Sequence, residues 1–186
     1  MAASVVAIGN FDGVHKGHQA ILEHAKEKAV QLDAPLVALT FDPHPREVFT
    51  PDNAPLRLTP LHEKAQLLGR YGAEVVYVIP FSHAYAQTTA ASFIEDTLVT
   101  ALKAKHVVVG EDFAFGRNRE GDVAVLKSAG QARGFAVDAL PLRQQQQGEV
   151  YSSTAIRAAI KAGDLQKVRQ LLGHKIRLLE AHWPVG

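Results

Sequence analysis

The sequence predicts an α/β fold, a Rossmann-like parallel sheet flanked by helices, on two observations. Short β-branched runs alternate with amphipathic stretches of helical period, the pattern of βαβ units stacked on a parallel sheet. The first apolar run ends in a glycine-punctuated turn, Gly9 to Gly13, directly ahead of a helical stretch. Parallel sheets bind ligands outside the carboxyl ends of their strands, and this turn lies at that edge. At 186 residues a single core is expected. We assign residues 1–173 to one domain and 174–186 to a C-terminal extension or the start of a linker.

Val5 to Ile8 is the first strand. Ile21, Ala25, Ala29 and Leu32 then recur at helical spacing with Glu23, Lys26, Glu27 and Lys28 on the other faces, which predicts the first helix. Leu36 to Phe41 reads as strand two and runs into Asp42-Pro43-His44-Pro45, where two prolines predict an extended, helix-free loop. Thr59 is expected to cap a helix that opens at Pro60 and ends near Gly69 to Gly72. Val75 to Ile79 is strand three, followed by a helix capped by Thr89 or Ser92 and running to about Leu102. His106 to Val109 is strand four, followed by a polar loop from Gly110 to Gly121, a helix to Arg133 and strand five at Phe135 to Leu140. Gln144 to Gln147 is an exposed polar turn without a function of its own. Ser152 or Ser153 caps a short helix to Ala162, and Asp164 caps another to Leu172, with Gly163 and Gly173 as stops.

Composition narrows the function. Twenty basic residues against 19 acidic ones leave a formal charge of +1, so neither nucleic acid nor an anionic membrane is an expected partner. An anion must be met by local chemistry. The absence of cysteine rules out a disulfide framework and thiolate metal sites and suits the cytoplasm. The N-terminus lacks the pattern of a cleaved signal peptide, and no run of about 18 apolar residues suggests a membrane span.

The chemistry concentrates in two segments. In the first, Gly9-Asn10-Phe11-Asp12-Gly13-Val14-His15-Lys16-Gly17-His18, open backbone N–H groups and the positive helix end favour phosphate, and Gly9, Gly13 and Gly17 allow close approach. His15 and His18 share a helical face, where two imidazoles can donate to phosphoryl oxygens. A metal site is disfavoured, because no third ligand stands at helical spacing from the pair. Neither a P-loop nor a GxGxxG fingerprint is present. In the second segment, Ser152-Ser153-Thr154-Ala155-Ile156-Arg157, hydroxyls, free N–H groups and a guanidinium converge on another helix N-terminus. Each segment alone has a bland reading as a closed turn or an ordinary cap. The pairing carries the case.

These two segments, with Thr40-Phe41-Asp42-Pro43-His44-Pro45 and the run Val109-Gly110-x-Asp112-Phe113-x-Phe115-Gly116-x-x-Arg119-x-Gly121, resemble the FMN adenylyltransferase (FAD synthetase) module of the bacterial bifunctional riboflavin kinase/FAD synthetase family. The four motifs stand in the family's order across residues 5 to 173. The HxGH and serine-threonine-arginine motifs are shared with the wider HxGH nucleotidyltransferase superfamily, and the other two narrow the likeness to flavin.

The resemblance implies transfer of AMP from ATP to FMN, giving FAD and pyrophosphate. It implies that His15, His18, Ser153, Thr154 and Arg157 act on the phosphates, and that Gly9, Asn10, Phe11, Gly17 and Gly110 bind ATP. His44, Phe49, Phe93, Asp112 and Phe115 would bind FMN, with Phe93 equally readable as core and Phe115 harder to explain that way. Mg²⁺ would arrive with ATP, without a protein metal site. A riboflavin kinase module, which family members carry beyond this point, is not recognisable after residue 173, so that module or a separate partner would supply FMN. Two alternatives stay open: an HxGH nucleotidyltransferase with another phosphorylated acceptor, and a non-catalytic flavin- or nucleotide-binding module.

Overall fold

The computed structural model describes residues 3–141 and 151–175. Five parallel strands form one sheet, β1 (Ser4–Ile8), β2 (Leu36–Asp42), β3 (Val75–Pro80), β4 (Ala104–Gly110) and β5 (Ala136–Leu140), in the order β3-β2-β1-β4-β5. Val5 pairs with Leu36 on one side and with His106 on the other. Every residue of β1 is buried, as both faces of a parallel sheet carry helices. The order reverses direction between β1 and β4, and at this switch point the strand ends open into a crevice.

Alternation along the strands divides the core. Val6, Ile8, Val37, Leu39, Val107 and Val109 face one layer, with Phe93, Leu98 and Leu126. Val5, Ala7, Leu36, Ala38 and Val108 face the other, formed by α1 (Lys16–Gln31) and α3 (Leu61–Arg70) through Leu22, Ala25, Leu67 and Leu68. A smaller cluster under Leu58 holds α6 (Ser153–Lys161) and α7 (Leu165–Leu172). Gly173 closes α7 in the left-handed conformation at φ 71°, as the sequence leads one to expect.

Several elements differ from expectation. In the first helix Leu22, not Ile21, is fully buried, and Leu32 is 46% exposed at the C-cap. The loop after β2 does not stay helix-free. Pro45 opens a short helix, α2 (Pro45–Phe49), and the Nδ1 of His44 accepts from Arg46 N at 3.1 Å. The fixed φ of proline suits a first helical position. Thr59 does not cap α3. Its hydroxyl accepts from Gly13 N at 3.0 Å and faces Asp12, and Pro60 takes the N-cap position without a side-chain bond. Thr89 caps α4 (Ala90–Ser92) by accepting from Ser92 N. The chain then continues as a π-helix, Phe93–Ala101, which buries Phe93, Ile94 and Leu98. Asp122 caps α5 (Val123–Arg133). The glutamine tract at 144–147 and residues 176–186 of the proposed extension lie outside the described residues.

Candidate active site

The β1–α1 loop is held in an unusual backbone shape. Phe11 and Val14 adopt φ of 49° and 41°, a region costly for side-chain-bearing residues and for a β-branched one above all. Both are fully buried, so packing holds them there. Phe11 therefore corrects the sequence expectation: its ring lies beneath the loop, 3.2 Å from where a Gly9 Cβ would stand, and not on the cleft wall. It supports His18 edge-on, with ring centroids 5.2 Å apart.

His15 is the N-cap of α1, and its Nδ1 accepts from His18 N at 3.4 Å. An accepting Nδ1 leaves the proton of the neutral ring on Nε2. Burial, helped by the Arg157 charge, lowers the His15 pKa to about 4. His18 is pushed well below its ordinary value by burial, then by the charges of His15 and Lys64. The two rings stack at 3.7 Å between centroids. At neutral pH both are uncharged, which makes them hydrogen-bond donors rather than proton sources. The His18 Nδ1 is buried without a protein partner among the described residues.

Asp12, a residue without an assigned role in the sequence reading, organises the opposite wall. Its carboxylate accepts from the backbone N–H groups of Leu58 and Thr59 at 3.0 and 3.1 Å and pairs with the guanidinium of Arg157. Its carbonyl accepts from the Ser153 hydroxyl at 2.9 Å. Ser152 caps α6 by accepting from Ala155 N. The hydroxyls of Ser152 and Ser153 are thus engaged within the fold, and so is Arg157, whose Nε also donates to Leu56 O at 2.7 Å. Ser153 and Thr154, the first two residues of α6, line the cleft, and the Thr154 side chain is exposed; a helix does not satisfy its first N–H groups internally. The motif that contains Asp12 does not show this role, because its partners lie as far as 145 positions away.

The α1 and α6 ends open into one cavity of about 1230 Å³, which also reaches Gly9, Asn10, Gly17, Gly110 and Asp112. Gly17 is closely surrounded: a Cβ there would stand 3.0 Å from the His15 ring and 3.2 Å from Tyr151 O. At Gly110 a Cβ would stand 2.8 Å from the Asp112 carboxylate. His44 lines the same cavity with its pKa lowered, by burial first.

The aromatic side of the cavity divides in two. Phe93 and Phe115 are 4% and 7% exposed, with centroids 5.3 Å apart. Phe115, expected to resist a core reading, is a core residue that also lines the cavity. Its loop folds back on itself through paired bonds between Phe115 and Gly121, and Arg117 N donates to Thr88 O at 2.8 Å. The left-handed Gly116 fits only without a side chain, since a Cβ would meet Ala90 N at 2.6 Å. Phe49, by contrast, is 56% exposed at the mouth and meets Phe81 edge-on at 5.6 Å.

The chain is 42% identical over 170 residues to a bifunctional riboflavin kinase/FMN adenylyltransferase of Escherichia coli strain K12, which covers 91% of this chain and 54% of that one. A Pseudomonas fluorescens protein of the same name is 42% identical over 174 residues, 94% of this chain and 55% of its own. The chain therefore spans about half the length of these relatives. A Geobacillus thermodenitrificans protein named as a putative enzyme of that kind is 42% identical over 173 residues and is covered to 91%. A crystal structure named as a macrolide-efflux protein from Streptococcus pneumoniae superposes with a TM-score of 0.81 at 33% identity, over 93% of this chain and 57% of that one. Among the described residues here, no helix is long and apolar enough to cross a membrane. The model of the FAD synthetase family matches residues 1–155, and with it the chain belongs to the FAD synthetase family.

Proposed function

We propose that this chain transfers AMP from ATP to FMN. An FMN phosphate oxygen attacks the α-phosphorus in line, the bond from that phosphorus to the bridging oxygen breaks, and pyrophosphate leaves with both electrons of that bond. The observation that carries this reading is the meeting of two helix N-termini, one bearing the neutral His15–His18 stack, in the cavity that Phe93 and Phe115 also line. Helix N-termini favour phosphate. Neutral imidazoles and open amides donate hydrogen bonds where charge builds in the transition state.

Within this reading His15 and His18 face the α-phosphate, and Ser153 and Thr154, chiefly through their amides, receive the leaving phosphates. Arg157, already bound to Asp12, positions α6 beside the leaving phosphates. Gly9, Asn10, Gly17 and Gly110 allow close approach of ATP. Phe49, Phe93 and Phe115 hold the flavin ring, with His44 and Asp112 beside its phosphate. Mg²⁺, which keeps water and phosphate oxygens as ligands, would come with ATP and neutralise phosphate charge. The carboxylates on the cleft wall are Asp112, Glu23 and Glu27, and among the described residues no three metal-binding side chains cluster, which suits an ion carried by substrate. FMN would come from a riboflavin kinase, the activity named beside FMN adenylyltransferase in the relatives. ATP and FMN as substrates suit the cytoplasm.

Incubation with FMN, Mg²⁺ and ATP, followed by separation of the flavins, tests the reaction. We expect FAD, and at least about a hundredfold less from His18→Ala, the scale of one lost transition-state donor. No FAD above that control would refute the activity, and tight FMN binding without turnover would favour a carrier.

A further inference from the structure

The buried face of α3 carries a charge that the reaction as described does not use. Lys64 is 4% exposed, and among the described residues it is the one Lys or Arg buried to this degree. Its Nζ donates to Asn10 O at 3.1 Å and to Thr40 Oγ1 and Phe41 O at 3.4 Å each. The Thr40 hydroxyl gives its own proton to Asn10 O at 3.0 Å. All three atoms around Nζ are therefore acceptors, which matches the three donors of an ammonium, whereas a neutral amine would turn its lone pair on one of them.

The other charges of this corner are matched without it. Arg157 pairs with Asp12, and Arg57 pairs with Asp42 and Glu47. Burial pulls the Lys64 pKa below its ordinary value, and the more distant Asp12 and Asp42 offset part of that. A buried cation without a bonded counter-charge is costly, and a fold keeps one where something else compensates it. The ammonium lies directly beneath Asn10, which lines the cavity, and its field reaches His18.

We propose that the phosphates of the bound nucleotide are the missing counter-charge of Lys64, a positioning residue that fixes Asn10 and the end of β2 and keeps the floor of the phosphate site positive. It touches no ligand. The inference rests on the nucleotide reading above and concerns binding rather than turnover.

Lys64→Met keeps the length of the side chain and removes its charge. In calorimetric titrations ATP and inorganic pyrophosphate bind this variant at least tenfold more weakly than the wild type. Riboflavin, which has the flavin ring and no phosphate, binds within twofold. A lysine of purely structural importance would weaken both kinds of ligand alike. An ATP affinity within twofold of the wild type, or equal losses for ATP and riboflavin, overturns the proposal. If Lys64→Met does not fold, ¹⁵N spectra of the lysine ammonium groups in the wild-type protein carry the test. Pyrophosphate shifts the Lys64 signal and riboflavin leaves it in place; a signal that pyrophosphate does not move overturns the proposal. Wild-type protein that binds ATP and yields no FAD would refute the proposed reaction while leaving these binding tests intact.

Discussion

The carboxylate of Asp12 and the guanidinium of Arg157 form an ion pair across 145 positions of the chain, and it joins the loop before α1 to the fifth residue of α6. Asp12 also receives the amides of Leu58 and Thr59. Asp12→Ala therefore leaves a largely buried arginine and two buried amides without their acceptor. Breaking a buried pair from one side costs about 3–5 kcal/mol, which for a chain of this size lowers the melting temperature by roughly 6–20 °C. Calorimetry checks it. A loss under about 1 kcal/mol would mean that the pair behaves as a surface contact.

His15 makes stability depend on pH. Its pKa is about 4 in the folded protein against 6.5 for the ordinary imidazole. Between those values the unfolded chain binds the proton and the folded protein does not, so stability rises with pH through this window and is lost as pH falls from 6.5 toward 4. Full traversal is worth roughly 3 kcal/mol, and His18 acts in the same direction. Urea midpoints at pH 7 and pH 5 should differ accordingly, and by less in His15→Gln. A pH-independent difference between the two proteins would show that His15 is not held neutral.

The sheet and its ligand edge are legible in the sequence because β-branched runs and a glycine turn are local signals. The partners of Asp12 and the three acceptors around Lys64 are not, since each joins segments distant along the chain. Phe115 misleads for the opposite reason. Its neighbours Gly116 and Arg117 read as loop, and the loop turns the ring inward onto Phe93. Pro45 misleads because the same fixed φ that breaks a helix also starts one.

Phe49 separates flavin binding from stability better than Phe115 does. Phe115→Ala would remove a core ring, at about 3–5 kcal/mol, and confuse any binding measurement. Phe49 is 56% exposed, so Phe49→Ala should change stability by no more than about 0.5 kcal/mol. An aromatic contact worth about 0.5–1.5 kcal/mol predicts a rise in the KM for FMN of roughly two- to tenfold, with the KM for ATP unchanged. Equal changes in both would remove Phe49 from the flavin site.

Gly17→Ala tests how tightly the His15 ring must be held. The new Cβ would stand 3.0 Å from Cε1 and 3.1 Å from Nδ1 of His15, and 3.2 Å from the carbonyl of Tyr151 just ahead of α6. The backbone on that side yields little, so the ring gives way by a few tenths of an ångström. Replacing glycine by alanine where the backbone allows it stabilises by about 0.4–1 kcal/mol, which offsets the crowding and keeps the melting temperature close to that of the wild type. Catalysis by positioning has no such offset, and we expect kcat to fall roughly tenfold or more. Measuring kcat and melting temperature on the same preparation distinguishes the outcomes. A fall in kcat at unchanged stability ties the chemistry to the orientation of His15, and an unchanged kcat shows that the ring can move without consequence.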